Sequence, residues 1–348
     1  MKPLKRPIRL ASLSLLLSSL LLAAACGNEG SQPPGGANAA EEGNTAAKVE
    51  EEQRINVVTS FYPLYFLATE IGGDHVSVDN LIASGVEPHE WTPKSRDLSV
   101  ASNAQLFLYH GAGLEGWVDD FLTGLSKDSK VVSKEASLGV PLIEGFEEGE
   151  EEHAEEGHAH EEEGHEHEEE GHDHGNLDPH TWVSPKSALV LAENVKNSLI
   201  EVDAANKADY EKNFEAVKRK LGEIDSDYTE QLAGTANKNI VVSHQAFGYL
   251  ARDYGLNQIA IMGLSPEAEP RAQDLLDIAR FVKENEVKYI FFEELVSDQL
   301  AKTLAAEADV DTMVLNPLEG LTSEQEAAGD NYFTLMERNL QNLVQALQ

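Results

Sequence analysis

The sequence predicts an α/β protein of two lobes, each a mostly parallel sheet flanked by helices, joined by one long linking helix. Three observations carry this expectation. Short β-branched runs alternate with helical stretches in the first part of the chain, the same alternation returns in the last part, and a helical period separates them.

Ile55 to Ser60 reads as a buried strand, and Tyr62 to Leu67 opens a helix that stops at Gly72-Gly73. Val78 to Ile82, Gln105 to Tyr109 and Lys130 to Val132 are further short strands. In the middle, Tyr210, Phe214, Val217, Leu221, Ile224, Tyr228 and Leu232 recur every three or four residues. That spacing predicts an amphipathic helix from Asn206 to Gly234, ~40 Å long at ~1.5 Å per residue. Beyond it, Asn239 to Ser243, Asn257 to Ile261, Lys288 to Phe292 and Thr312 to Leu315 are β-rich. Helical patterns fall between them at Gln245 to Tyr254, stopped by Gly255, and at Ala272 to Asn285. The expected division is a first lobe over 54–205, a linking helix over 206–233 and a second lobe over 234–348. A stiff helix between two lobes leaves a cleft, and such clefts take small ligands.

The formal charge is −36 over 348 residues, and it is unevenly placed. Residues 147–174 hold 15 acidic residues and no Lys or Arg, leaving −21 for the remainder. A field of this sign repels nucleic acid and draws cations. The one cysteine, Cys26, excludes an intrachain disulfide. It follows a basic start (Lys2, Lys5, Arg6, Arg9), an apolar run from Leu10 to Ala25, and the small residues Ala23-Ala24-Ala25. Residues 1–26 therefore resemble a bacterial lipoprotein signal with Cys26 as the lipidated residue, although Ala23 stands where Leu is usual. Residues 27–53 offer almost nothing apolar to bury and read as a flexible tether, which places the body outside the cell membrane on a lipid anchor.

Two stretches match each other: Glu87-Pro88-His89-Glu90-Trp91 and Asp178-Pro179-His180-Thr181-Trp182. Proline holds the preceding residue extended, so each histidine is expected on a rigid turn rather than inside a helix. Metal ligands need that rigidity, and each tryptophan is placed to wall off water. His244 follows the strand Asn239 to Ser243, at the strand end from which side chains enter clefts of parallel sheets. Two carboxylates compete for a fourth place. Glu293 ends the strand Lys288 to Phe292, and Glu319 follows Thr312 to Leu315 on a turn stiffened by Pro317. The residues alone do not separate them. Three imidazoles and one carboxylate suit four-coordinate Zn2+, whereas more carboxylate tilts a site towards Mn2+. His75 and His110 have no comparable context and read as structural.

Residues 147–175 are expected to be a surface loop without a core. His153, His158, His160, His165, His167, His172 and His174 lie there among glutamates and glycines, with no apolar residue larger than alanine between 147 and 174. Histidine with carboxylate is a weak, multi-site ligand set for Zn2+ or Cu2+.

Taken together, the chain from about Arg54 to Gln348 resembles the metal-binding substrate-binding lipoproteins of bacterial high-affinity zinc ABC transporters. The resemblance rests on Ser60-Phe61-Tyr62-Pro63, Glu87-Pro88-His89-Glu90, the histidine-rich insert leading into Asp178-Pro179-His180-Thr181-Trp182, Ser243-His244-Gln245-Ala246-Phe247-Gly248-Tyr249 and Leu315-Asn316-Pro317-Leu318-Glu319. It implies an interlobe metal site with His89 and His180 from the first lobe and His244 and Glu319 from the second. It prefers Glu319 to Glu293. Histidine at 244 favours zinc over the manganese-type relatives, which place two carboxylates among the four ligands.

The expected function is that of an extracytoplasmic monomer that binds Zn2+ as cargo and delivers it to an ABC permease. The alternatives are a manganese-binding protein of the same family, or a surface zinc buffer or adhesin relying on the loop. An enzyme is not expected: no His-Glu-x-x-His helix is present, and a fourth protein ligand leaves no position for an activated water. Neutral imidazoles bind metal, so affinity is expected to fall as pH drops through ~6.5. Deleting residues 147–174 should remove weak sites and leave one tight site in a calorimetric Zn2+ titration. Loss of the tight site would move the cargo to the loop.

Overall fold

The computed structural model describes residues 54–145, 177–267 and 270–348. The expectations for Cys26, for the tether and for the histidines from His153 to His174 fall outside the described residues.

The first sheet comprises β1 (Ile55–Thr59), β2 (Val76–Asn80), β3 (Leu106–Tyr109) and β4 (Val132–Glu135), all parallel, in the order β2-β1-β3-β4. The second comprises β5 (Asn239–Val242), β6 (Asn257–Ala260), β7 (Tyr289–Phe292) and β8 (Asp311–Val314), again parallel, in the order β6-β5-β7-β8. In the first sheet Val57 pairs with Val78 on one side and Leu106 on the other; in the second Val241 pairs with Ile259 and Ile290. Central strands covered on both faces need continuous apolar runs, and β1 and β5 have them.

Helices cover the first sheet and join the two: α1 (Tyr62–Gly72), α2 (Ser95–Ser102), α3 (Val118–Gly124), α4 (Pro185–Val202) and α5 (Lys207–Ala233). α6 (Gly248–Tyr254), α7 (Ala272–Glu284), α8 (Gln299–Ala308), α9 (Ser323–Ala328) and α10 (Tyr332–Leu347) complete the second half. The long helix α5 has 27 residues, and its buried residues are the seven apolar ones that define its period. α4 starts at Pro185 behind Ser184, whose hydroxyl accepts from Lys186 N at 3.3 Å, a cap followed by the residue best suited to a first helical position.

One core runs through both halves. Residues of α1, α4, α5 and α10 join β1, β3 and β5 in a single buried cluster that includes Val57, Leu67, Leu191, Leu221, Val242 and Leu343. Phe66 of α1 meets Tyr332 and Phe333 of α10 at ring separations of 5.5 and 4.8 Å. Tyr228 of α5 donates to Met336 O at 2.7 Å, which satisfies a hydroxyl that burial would otherwise penalise. Next to Asp178, an isolated antiparallel bridge joins Glu144 to Leu177.

Phe66 is 7% exposed and ties α1 to the last helix. Phe66→Ala is expected to cost about 3–5 kcal/mol, as Phe truncations in cores do. Urea unfolding of the metal-free protein should show it as a lower midpoint with an unchanged slope.

Candidate metal centre

His89 lies on a turn between β2 and α2, and His180 precedes a short 3-10 turn at Thr181–Val183. The two acid-Pro-His stretches share one device. Glu87 Oε1 accepts from His89 N at 2.8 Å, and Asp178 Oδ1 accepts from His180 N at 2.9 Å. The acid two residues back thus fixes the backbone of each histidine, the local pairing that Asp favours in turns. His244 sits in the bend after β5, and Glu319 in the turn after β8.

The structure brings His89, His180, His244 and Glu319 together, with one ligand atom from each lying within 4.8 Å of the others. His180 Nε2 lies 3.2 Å from His89 Nε2 and 3.3 Å from His244 Nε2. Glu319 Oε1 lies 3.4 Å from His89 Nε2, and 3.6 Å from both His180 Nε2 and His244 Nε2. Arms of ~2.0–2.1 Å to the corners of a regular tetrahedron give edges of about 3.3–3.4 Å. Five of the six separations are therefore close to those of a four-coordinate zinc-sized site, and the sixth, between His89 and His244, is within 4.8 Å. The His180 and His244 side chains are 0% exposed and Glu319 2%, while His89 retains 11%.

The outer nitrogens are also engaged. Asp178 Oδ1 faces His180 Nδ1 at 2.8 Å, and Glu293 Oε2 faces His244 Nδ1 at 2.7 Å. A carboxylate there holds the proton on Nδ1 and turns the Nε2 lone pair towards the centre. This separates the two candidate carboxylates by role: Glu293 orients His244 from behind, and Glu319 faces the ring nitrogens at the centre. Glu293 also accepts from His244 N at 3.2 Å.

Other buried groups hold the ligand turns. Trp182 tilts against His180 at 5.2 Å, and its Nε1 donates to Pro317 O at 2.8 Å, joining the His180 turn to the Glu319 turn. Tyr332 OH donates to Trp182 O. The matching Trp91 instead meets Trp117 edge-on at 5.2 Å, whereas Trp182 packs tilted against its own histidine. Asn316 Oδ1 accepts from Leu318 N at 2.7 Å, fixing Leu318 at φ 65° just before Glu319. His110, read as structural, is fully buried after β3 and donates from Nε2 to Pro179 O at 2.8 Å, so it supports the residue before His180. Its position one residue past a buried strand, like that of Glu293 past β7, was the available signal.

Electrostatics differ sharply between the rings. Burial pushes His110 down to about 3, so it is neutral. Burial also lowers His180, and the neighbouring rings of His244 and His89 act in the same direction against the pull of Asp178. At His244 burial is outweighed by Glu293 and Glu319, which raise the ring to about 10. Burial pushes Glu319 up, but the bonds from His244 and His89 prevail and hold its carboxyl well below the usual range.

The sequence model of the family described as "Zinc-uptake complex component A periplasmic" (ZnuA) matches residues 57–346. The chain belongs to this family. It is 40% identical over 294 residues to the high-affinity zinc uptake system protein ZnuA of Bacillus subtilis (strain 168), covering 84% of this chain and 88% of that protein. It is 41% identical over 298 residues to the zinc-binding lipoprotein AdcA of Streptococcus pneumoniae (strain ATCC BAA-255 / R6), covering 85% of this chain. The match spans only 56% of the length of AdcA. Among solved structures, the Zn(II)-bound ZnuA-like domain of Streptococcus pneumoniae AdcA superposes with a TM-score of 0.69 at 38% identity, over 84% of this chain and 99% of that one.

His244 sets the pH dependence. A histidine raised from ~6.5 in the unfolded chain contributes stability that is whole below ~6.5 and is lost as pH rises through the folded value. For His244 that value is about 10, so melts of the metal-free protein should weaken from pH 6.5 towards 10, less steeply in His244→Ala. Zn2+ must displace the same proton, so its apparent affinity should rise about tenfold per pH unit across this window. The two flanking carboxylates thus move the transition above the ordinary imidazole midpoint. Calorimetry in buffers of different ionisation enthalpy should count about one proton released per ion at pH 8.

Proposed function

We propose that this chain is the extracytoplasmic zinc-capture component of an ABC transporter, holding one Zn2+ through His89, His180, His244 and Glu319 and delivering it to a membrane permease. The observation that carries the reading is the convergence of four donor atoms, 3.2–3.6 Å apart along five of their six edges and within 4.8 Å throughout, in an almost fully buried cleft. Three neutral nitrogens and one carboxylate match the donor preference of Zn2+. Mn2+ prefers six oxygen-rich ligands, for which this cluster has too much imidazole. Membership of a solute-binding transport family, and relatives named for zinc uptake and zinc binding, support the same cargo. Because the fourth corner is a carboxylate, the arrangement provides no open position for an activated water, which favours carriage over hydrolysis.

The proposal keeps the division into lobes at 54–205 and 234–348 with the linking helix at 206–233. It also keeps residues 1–26 as a lipoprotein signal, Cys26 as the lipidated anchor and 27–53 as the tether. The histidines from His153 to His174 are auxiliary ligands in this reading.

The test is a Zn2+ titration of the mature protein. The wild type should bind one ion tightly, and the triple change His89→Ala, His180→Ala, His244→Ala should abolish that binding; full affinity in the triple variant would sink the assignment. Glu293→Gln should keep the 1:1 stoichiometry with affinity lower by about 10–100-fold, as for partners that orient a ligand.

A further inference from the structure

We propose that Gly248 is a positioning residue for the metal centre: by lacking a side chain it lets the Asp178 carboxylate sit against the first turn of α6, and so holds His180 in place from the other side of the cleft. The inference rests on the reading of His180 as a metal ligand.

Asp178 is fully buried and fastened on several sides. Its N donates to Ile143 O at 2.9 Å, its O accepts from Tyr249 OH at 2.7 Å, and its Oδ1 serves both His180 N and His180 Nδ1. Its other oxygen, Oδ2, is buried without a hydrogen-bond partner among the described residues. What lies against that oxygen is Gly248. A Cβ built on Gly248 would fall well inside van der Waals contact with Asp178 Oδ2, and 2.9 Å from Ile143 Cδ1. The two contacts are unequal. Ile143 presents the free end of a partly buried side chain that can turn aside. Asp178 cannot yield without rotating Oδ1 away from His180, since the backbone on both of its sides is held.

Gly248 is the first residue of α6, where alanine would serve the helix better than glycine. Helix formation therefore does not explain the glycine; close approach of a carboxylate does. The same turn carries Tyr249, whose hydroxyl also accepts from Ile143 N at 3.3 Å. One turn of helix, four residues after His244, thus fixes the carboxylate that orients His180. The two histidines, far apart in sequence, are set relative to each other through Gly248 and Asp178.

The experiment is a double-mutant cycle on the mature protein, with Zn2+ affinity measured by competition calorimetry and folding of the metal-free variants by circular dichroism. Gly248→Ala is expected to weaken Zn2+ binding by about 10–100-fold, as displacement of an orienting carboxylate does. Asp178→Ala should weaken it similarly. The double variant should lose no more than Asp178→Ala alone, because the methyl then meets space rather than the carboxylate. Wild-type affinity in Gly248→Ala, or losses that add in the double variant, would overturn the proposal. Should Gly248→Ala fail to fold, the double variant is expected to fold; failure of both would assign the glycine to packing and end the proposal. The wild type and His89→Ala, titrated alongside, keep the two readings apart. Absence of tight 1:1 binding in the wild type would reject the cleft as a zinc site whatever Gly248 does.

Discussion

Four ligand groups from four separate turns converge within a few ångströms in a cleft that excludes most water, where polar groups are costly to bury unless each is held in place and paired. The remainder of the structure answers that constraint. The turns are braced against each other rather than each against its own strand: Trp182 of the His180 turn donates to Pro317 beside Glu319, Tyr249 beyond His244 donates to Asp178, and Gly85 N near His89 donates to Leu321 O at 2.8 Å. Each brace ends on a backbone carbonyl, a group that must be satisfied when buried and does not change its protonation. The shared core through α1, α5 and α10 gives these bonds a common frame.

Charge is distributed with equal economy. His180 and His244 both have a carboxylate at Nδ1, yet one ring is pushed down and the other up. Glu319 Oε1 lies 3.6 Å from both inner nitrogens, so distance to it does not separate the rings. At His244 the carboxylates of Glu293 and Glu319 outweigh burial, whereas at His180 burial prevails, helped by the neighbouring His244 and His89 rings. Glu319 is kept ionised by the bonds from His244 and His89. A positive charge on His244 offsets the Glu319 carboxylate and limits the penalty of burying either alone.

Much of this was legible in the sequence, and the parts that were not have physical reasons. The buried strands β1, β3, β5 and β7 lie within a residue of where apolar runs place them, because strands covered on both faces leave an unbroken signal. The first sheet's edge strands β2 and β4 lie about two residues from their expected positions, since β2 alternates and β4 ends in Ser133-Lys134-Glu135; the second sheet's edge strands β6 and β8 lie within a residue of theirs. The helix expected from Gln245 starts only at Gly248, since the intervening bend is held by distant groups, Gly263 O accepting from Gln245 N and Gln258 Oε1 from Phe247 N. The three site histidines were visible because proline turns and a strand end advertise them. The choice between Glu293 and Glu319 was not, because both follow neighbouring strands and differ only in which nitrogen of His244 they face. His110 and Asn316 act through backbone groups of other segments, a role that no local pattern announces.

The bridge between Glu144 and Leu177 has a consequence for how this chain can vary. Two residues that are 33 positions apart in sequence are neighbours in space, so the two ends of the intervening sequence are held side by side. Closing a chain between fixed adjacent points becomes only slowly more costly as the chain lengthens. A change in the number of residues between these two points is therefore expected to alter the closure cost only weakly, provided that the bridge itself is kept.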